Sequence, residues 1–325
     1  MLIRPELAAL RVDDRPQRAA QARLVVRRQA WEREGHGAAI LPELAAMARG
    51  AVLDDLPMLS ALFTPGDPSA RTMVDGVIGW LLAELADQPL GQVPFRHHCD
   101  STFATLLLAR CQGVSLLLQA VDGVGLAGRP APVSASFAPA RCWEHILAGE
   151  ATGELVRIVG ADASSATLER QPLALAPGMV LDRQGAREVP LLRAVQGTLV
   201  SLKLVCRLGD GQVMREYRLS DGGLVHQAAG SPRDSRLELT AALLGRMGRA
   251  DAAPMLAAMA EEHGSAHLRW QALRECLGLD AAAGFATLTR LAERANDPLA
   301  RPAAALRAQL IETYPQLAEV QPCPA

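Results

Sequence analysis

A short segment carries histidine and aspartate at a spacing that could bind a metal. His98 and Asp100 form an H-x-D pattern. In an extended chain they lie on one face, because alternate residues of a strand point the same way. With a distant histidine, His145 or His226, they would form the two-histidine, one-carboxylate set that binds Fe(II) in non-haem oxygenases. The alternative is a polar loop whose histidines form ordinary surface hydrogen bonds.

A second candidate lies in the segment from residue 142 to 148. Trp143, His145 and Leu147 would share one face of a strand there, and Glu144 would lie on the opposite face. If the first face lines a pocket, Trp143 and His145 contact a ligand and His145 is a possible metal ligand. The alternatives are a buried histidine with satisfied hydrogen bonds and, for His226, an interdomain hydrogen bond.

The elements that must position these residues change in type twice along the chain. Helical spacing and few turn signals characterise residues 1–91, which we interpret as an N-terminal helical region. From about residue 92 to 230 the period is two, with about ten short strands separated by Gly and Pro turns. Residues 231–325 again have helical spacing. Predicted strands of the middle region include 102–109, 114–121, 142–148, 154–159, 187–195 and 199–207, and a Gly209-Asp210-Gly211 hairpin turn follows the last of these.

Four segments of the β region resemble a known family. The Pro177-Gly178 turn before a strand is similar to a turn found in cupins. Residues 93–101, followed later by 185–189 and 200–204, resemble the metal-bearing segments of thiol dioxygenases of the cysteine dioxygenase type. The resemblance implies a double-stranded β-helix with a pocket in which the family holds a metal by three histidines.

The sequence departs from that family at two of the three ligand positions. Arg96 stands at the first position, His98 at the second and Arg187 at the third. A guanidinium is always charged and cannot coordinate a metal. The resemblance therefore implies a degenerate metal site, where Arg96 and Arg187 meet in one pocket and bind a carboxylate or phosphate. The alternative places both arginines on the surface.

The last ninety or so residues contain a weak repeat. Asp251 and Asp280 begin similar segments at an offset of 29, and Arg269 and Arg301 correspond at an offset of 32. This pattern resembles short bacterial HEAT-like repeats, which implies two or three helical hairpins. So few repeats would cap the β domain or offer a small surface to a protein partner.

Composition excludes several classes of protein. The 325 residues include 33 basic and 35 acidic residues, a net charge of −2, which argues against a dedicated nucleic-acid binder. No apolar run approaches the roughly 20 residues of a membrane span, and the first residues lack the apolar stretch of a signal peptide. We therefore expect a cytoplasmic protein with no membrane contact. Its six cysteines contain no C-x-x-C pair and are expected to be reduced.

One basic residue differs from all the others. Lys203 is the only lysine, and the remaining basic residues are arginine, a bias that we attribute to a GC-rich bacterial genome. Nucleotide-binding Walker and G-x-G-x-x-G motifs, the G-x-S-x-G nucleophile motif and the H-E-x-x-H zinc motif are all absent from the sequence.

These observations predict an α+β protein with N-terminal helices, a central cupin-like double-stranded β-helix and C-terminal HEAT-like helical hairpins. We expect a binding or regulatory protein without a cofactor. Its pocket would hold a small-molecule or anionic ligand, its helical tail a protein partner, and neither nucleic acid nor membrane would bind. The alternative is an Fe(II)-dependent cupin oxygenase acting on a small molecule or peptide.

Overall fold

The computed structural model describes residues 10, 12–162, 164–207, 213–229 and 231–319. The predicted Gly209-Asp210-Gly211 turn lies outside these residues. The chain is of the α+β class and divides into two compact units. The first comprises Met1–Leu208 and Tyr217–Gly223, and the second Gly209–Glu216 and Leu224–Ala325. Within the described ranges, no helix is both long and apolar enough to cross a membrane.

Over the part of the chain that the structure describes, the first unit has five α-helices. Helix α4 has the helical spacing of the sequence, since Met73, Val74, Val77 and Leu81 form its buried stripe. Pro42 lies inside helix α2. The helices are α1 Arg15–Arg33, α2 Gly35–Ala48, α3 Pro57–Leu62, α4 Ser69–Asp87 and α5 Gly123–Ala127.

Within the described residues, the first unit also contains an antiparallel seven-stranded sheet. Its strand order is β1-β2-β3-β8-β5-β6, and β7 pairs with β5 beside this path. The strands of the chain are β1 Arg96–Cys99, β2 Phe103–Cys111, β3 Val114–Asp122, β4 Ser134–Phe137, β5 Ala140–Ala161, β6 Ala166–Leu175, β7 Val180–Gln184, β8 Glu188–Arg207, β9 Val213–Arg218 and β10 Leu224–Ala229.

Two long strands replace four predicted short ones. β5 covers both predicted strands of the 142–159 region, and β8 covers those of the 187–207 region. Their ladder is interrupted where Ala148 pairs with Val200 but Glu150 pairs with Gln196, so that Gly149 alone lies opposite three residues of β8. Gly149 has a φ of +78°, a conformation that residues with a side chain rarely adopt. This bulge interrupts the period-two pattern but not the strand pairing.

The bulge divides each long strand into two halves. The first half of β5 pairs with the second half of β8 and with β7, and the second half of β5 pairs with the first half of β8 and with β6. Apolar side chains from both halves pack together; they include Ile146, Ala151, Leu175 and Leu199.

The N-terminal helices cover the opposite face of the sheet. Leu44, Leu59 and Met73 of the helices share one buried core with Trp143 and Leu204 of the strands. The predicted boundary between residues 91 and 92 therefore falls inside one compact unit, where helices and sheet are held by a common core.

Among its described residues, the second unit contains five α-helices with a core of their own. Leu256, Leu273, Leu288 and Leu291 are all buried there. The helices agree with the helical spacing of residues 231–325, and the HEAT-like arrangement stays a prediction. They are α6 Pro232–Arg246, α7 Ala253–Glu261, α8 Ala266–Leu279, α9 Ala281–Glu293 and α10 Ala300–Thr313.

The bulge at Gly149 gives a direct test of this fold. We expect Gly149→Ala to lower the free energy of unfolding by at least about 1–3 kcal/mol, the usual cost of one strained backbone position. Its Cβ would lie 2.2 Å from the carbonyl oxygen of Thr198. The measurement is urea unfolding followed by tryptophan fluorescence.

Gly160→Ala is the matched control on the same strand, because a Cβ there meets only one atom, at 4.0 Å. Equal unfolding midpoints for the two variants would show that β5 does not bend at Gly149.

Candidate functional site

A cavity of about 470 Å³ opens on the face of the sheet opposite the N-terminal helices α1–α4. Its wall combines side chains from both halves of the bent β8, with Lys203 from one half and Arg193 from the other. Most of the remaining wall is apolar. The apolar lining residues are Phe103, Val121, Leu126, Ala127, Pro130, Ala131, Pro132, Leu175, Leu181, Pro190, Leu191 and Leu192.

A buried carboxylate lies at this wall. The side chain of Glu144 is only 6% exposed and accepts a hydrogen bond from Ser201 Oγ at 2.8 Å. Lys203 Nζ lies 3.0 Å from Glu144 Oε1, and the guanidinium of Arg183 lies 3.5 Å from Oε2. The strand register explains the cluster, because Glu144 is the cross-strand partner of Lys203. Ser201 follows the same period-two face of β8 as Lys203.

The charge state of Glu144 follows from these contacts. Burial by itself raises the pKa of a carboxyl group, and it acts strongly here. The positive charges of Lys203 and Arg183, with the hydrogen bonds from Lys203 and Ser201, outweigh burial and hold the pKa of Glu144 below its ordinary value of 4.5. Glu144 is therefore an anion at neutral pH. Burial also raises the pKa of the Cys142 thiol two residues earlier.

The cavity wall carries more positive than negative charge. Arg129, Arg193 and Lys203 line it together with a single carboxylate, Glu144. Arg193 contacts Glu154 at 3.3 Å, and Arg129 pairs with Asp100 at 2.9 Å and lies 4.8 Å over the ring of Phe103. Neither Glu154 nor Asp100 lines the cavity, so the wall itself has a cationic excess, which suits a molecule with one acidic group and an apolar body.

The structure places Trp143 and His145 on the helix-facing side of β5. Trp143 and Leu147 belong to the core shared with the helices, and His145 is 3% exposed. Its Nδ1 lies 2.8 Å from the carbonyl oxygen of Leu62 in α3. The geometry is that of an interior histidine with a satisfied hydrogen bond. Glu144, on the other face, is the residue that lines the cavity.

His98 and Asp100 lie close to each other at the end of β1. The distance from His98 Nε2 to Asp100 Oδ2 is 3.8 Å. Asp100 accepts hydrogen bonds from the backbone N–H groups of Thr102 and Phe103, both at 2.7 Å, and pairs with Arg129 at 2.9 Å. These backbone hydrogen bonds, with the Arg129 charge, lower the pKa of Asp100.

His226 belongs to the second unit, where it lies exposed on β10. Over the described ranges, no group of three or more His, Cys, Asp or Glu side chains could hold a metal ion. The Fe(II) oxygenase stays a prediction.

Arg96 and Arg187 do not share a cavity wall. Arg96 is exposed at the start of β1, the edge strand, where it pairs with Leu107. Arg187 precedes β8, and its carbonyl oxygen accepts a hydrogen bond from Ile158 N–H. It lines a separate polar cavity near the two ends of β5.

Sequence reasoning missed the residues that form the buried cluster. Period-two spacing already placed Glu144 and His145 on opposite faces, but nothing local shows which face the helices cover. Lys203 was visible as the only lysine, at a strand position two residues after Ser201. No sequence pattern indicated a role for Arg183, since its position beside Glu144 depends on the pairing of β7 with β5.

Comparison with known proteins adds little to this geometry. No protein-family model matches the chain, and no curated protein matches it. Among solved structures, an ectoine synthase from P. lautus is similar at 16% identity, over 34% of this chain and 67% of that one, with a TM-score of 0.22. KdgF from Halomonas sp. is similar at 10% identity, over 35% of this chain and 89% of that one, with a TM-score of 0.24.

A cupin superfamily protein from Desulfitobacterium hafniense DCB-2 is similar at 16% identity, over 34% of this chain and 83% of that one, with a TM-score of 0.21. At TM-scores of this size the likeness carries no argument about the fold or function of this chain.

The ion cluster around Glu144 predicts how stability depends on pH. A carboxyl group with a lowered folded-state pKa contributes stability above its unfolded-state pKa, near 4.5, and loses it as the pH falls through the folded value. We expect Glu144→Gln to cost about 3 kcal/mol at pH 7, because two largely buried cations lose their counter-charge. The variant should also lose this acid-dependent part of stability. Urea unfolding at pH 7, 5 and 3.5 measures both effects.

Asp75→Asn removes an exposed carboxylate from α4 and serves as the control. It should leave both the stability at pH 7 and its decline in acid close to those of the wild type. A Glu144→Gln variant that behaves like Asp75→Asn would contradict the buried ion cluster.

Proposed function

We propose that the first unit is a cupin-like binding protein whose cavity holds a small organic anion. The observation that carries the proposal is the fixed position of Lys203 at a largely apolar wall. Its ammonium group is held there by Glu144, which also accepts a hydrogen bond from Ser201. A bent antiparallel sheet that encloses a cavity is consistent with the cupin resemblance of the sequence. The ligand class follows from the wall chemistry.

The charge of the wall favours an anion over a neutral or cationic ligand. Among the described residues, Lys203 has one ion-pair partner, Glu144. Its ammonium group has three N–H donors, so one ion pair does not use all of them. Arg193 likewise makes one contact, to Glu154, through one of its terminal nitrogens. Both side chains therefore keep donors for an acidic group on the ligand. A charge-assisted hydrogen bond is stronger than a neutral one.

The size and apolar lining of the cavity define the rest of the ligand. Pockets for small molecules usually have volumes of about 300–1,000 Å³, and they are mostly apolar with a few polar groups that fix orientation. The cavity, at about 470 Å³, has this character. Phe103 and the leucines of β6, β7 and β8 would contact an apolar or aromatic body.

Partner binding by the helical tail remains a proposal that rests on one feature. Leu239, Leu243 and Met247 lie four residues apart on and just after α6, and each is more than half exposed. Residues spaced by four lie on one face of a helix, so α6 carries an apolar stripe of the kind that marks interaction surfaces.

Two dyes that differ mainly in charge test the ligand class. 1-Anilinonaphthalene-8-sulfonate has an apolar aromatic body and a sulfonate, and N-phenyl-1-naphthylamine has the same body without the sulfonate. We expect both to bind the wild type, with a rise in fluorescence. Lys203→Met and Arg193→Met should each weaken sulfonate-dye binding about tenfold, the effect of roughly one charge-assisted hydrogen bond, and change neutral-dye binding less than twofold.

Arg18→Met removes an exposed cation on α1 that pairs with Asp14, and it should change neither affinity. Equal losses for the two dyes in the cavity variants, or no saturable binding of the sulfonate dye to the wild type, would refute the proposed function.

A further inference from the structure

A second cavity of the first unit is lined almost entirely by charged side chains. It has a volume of about 340 Å³ and lies where the two ends of β5 approach β7 and the start of β8. Four arginines and two carboxylates line it. The full lining is Arg141, Arg157, Ile158, Asp182, Arg183, Gln184, Arg187 and Glu188.

Two of the arginines already have carboxylate partners. Arg141 binds both oxygens of Asp182, with distances of 3.1 and 2.8 Å. Arg157 binds Oε1 of Glu188 at 2.8 Å through Nε and at 2.7 Å through a terminal nitrogen. These two pairs are neutral overall and hold the rim of the cavity in place.

The other two arginines have no full counter-charge inside the cavity. Arg187 is exposed and its side chain has no ion pair with any described residue. The side chain of Arg183 is 13% exposed, and its guanidinium lies 3.5 Å from Glu144, a carboxylate already bound by Lys203 and Ser201. The Nε of Arg183 is buried and has no hydrogen-bond partner among the described residues. Arg183 contributes a positive charge to the cavity wall, and Glu144 balances that charge only in part, because Lys203 shares the same carboxylate.

We propose that this arginine-lined cavity is a binding site for a phosphate monoester, separate from the apolar cavity. Four guanidinium groups and two carboxylates leave an excess of two positive charges, which matches the near-dianion that a monoester forms at neutral pH. Planar guanidinium forks suit the oxygens of a phosphate group. Ile158 is the one apolar residue among the eight that line this cavity of about 340 Å³, so we expect the ester to carry a small polar substituent.

Isothermal titration with inorganic phosphate and with glycerol 3-phosphate tests the site, at low ionic strength and pH 7.5. The wild type should bind both saturably, and acetate at least tenfold more weakly than either. Arg187→Met should weaken the binding of both phosphates at least tenfold. Because Arg187 is exposed, this variant is expected to fold normally, which a thermal melt without ligand checks.

Arg170→Met is the matched control. Arg170 pairs with Glu154 on β5 and lines neither cavity, so its loss removes one cation from the same sheet. It should change phosphate affinity less than twofold. Equal weakening by the two variants would mean a general charge effect and would overturn the proposal, as would phosphate binding no tighter than that of acetate.

A pH series adds a second criterion. The second pKa of a phosphate monoester is about 6, so binding should strengthen between pH 5.5 and 7.5 as the dianion forms. Affinity that stays constant over this range would contradict a site built for a dianion.

Discussion

The buried carboxylate of Glu144 is the constraint on which the candidate site depends. An ionised carboxyl group is costly to remove from water unless charges and hydrogen bonds compensate it. Lys203 and Ser201 of β8 and Arg183 of β7 supply this compensation from strands on both sides of β5. Lys203 is thereby held at the wall of the apolar cavity, and Arg183 at the wall of the polar one.

Both cavities are lined by residues of the two long strands whose pairing is interrupted at Gly149. At Gly149 one residue of β5 lies opposite three of β8, and the two halves of each strand then pair with different neighbours. The apolar cavity lies where side chains of the two halves of β8 meet, with Lys203 and Arg193 on its wall. The polar cavity is lined by Arg141 from the start of β5 and by Arg157 from its second half. Strand pairing thus brings together charged residues that are far apart in sequence.

The sequence predicted the elements better than the site. Period-two and helical spacing are local signals, so β2 and β3 were predicted close to their observed bounds, and the helical character of residues 231–325 agrees with the observed helices. The face of β5 that lines the cavity was not predictable, because α3 covers His145 from more than eighty residues away. Arg187 was expected to bind an anion beside Arg96. Its neighbours in the structure, Arg141 and Arg157, depend on strand register that no local pattern encodes.

The central claim is that an ionised Glu144 holds Lys203 at the cavity wall, and one NMR experiment tests it directly. Because Lys203 is the only lysine, labelling with lysine that carries ¹⁵N at Nζ gives a single side-chain resonance. The account predicts that this resonance moves in acid with a midpoint below 4.5, when Glu144 takes up its proton, and that Glu144→Gln abolishes the transition. A resonance that stays constant from pH 7 to 3, or that moves identically in Glu144→Gln, would contradict the account.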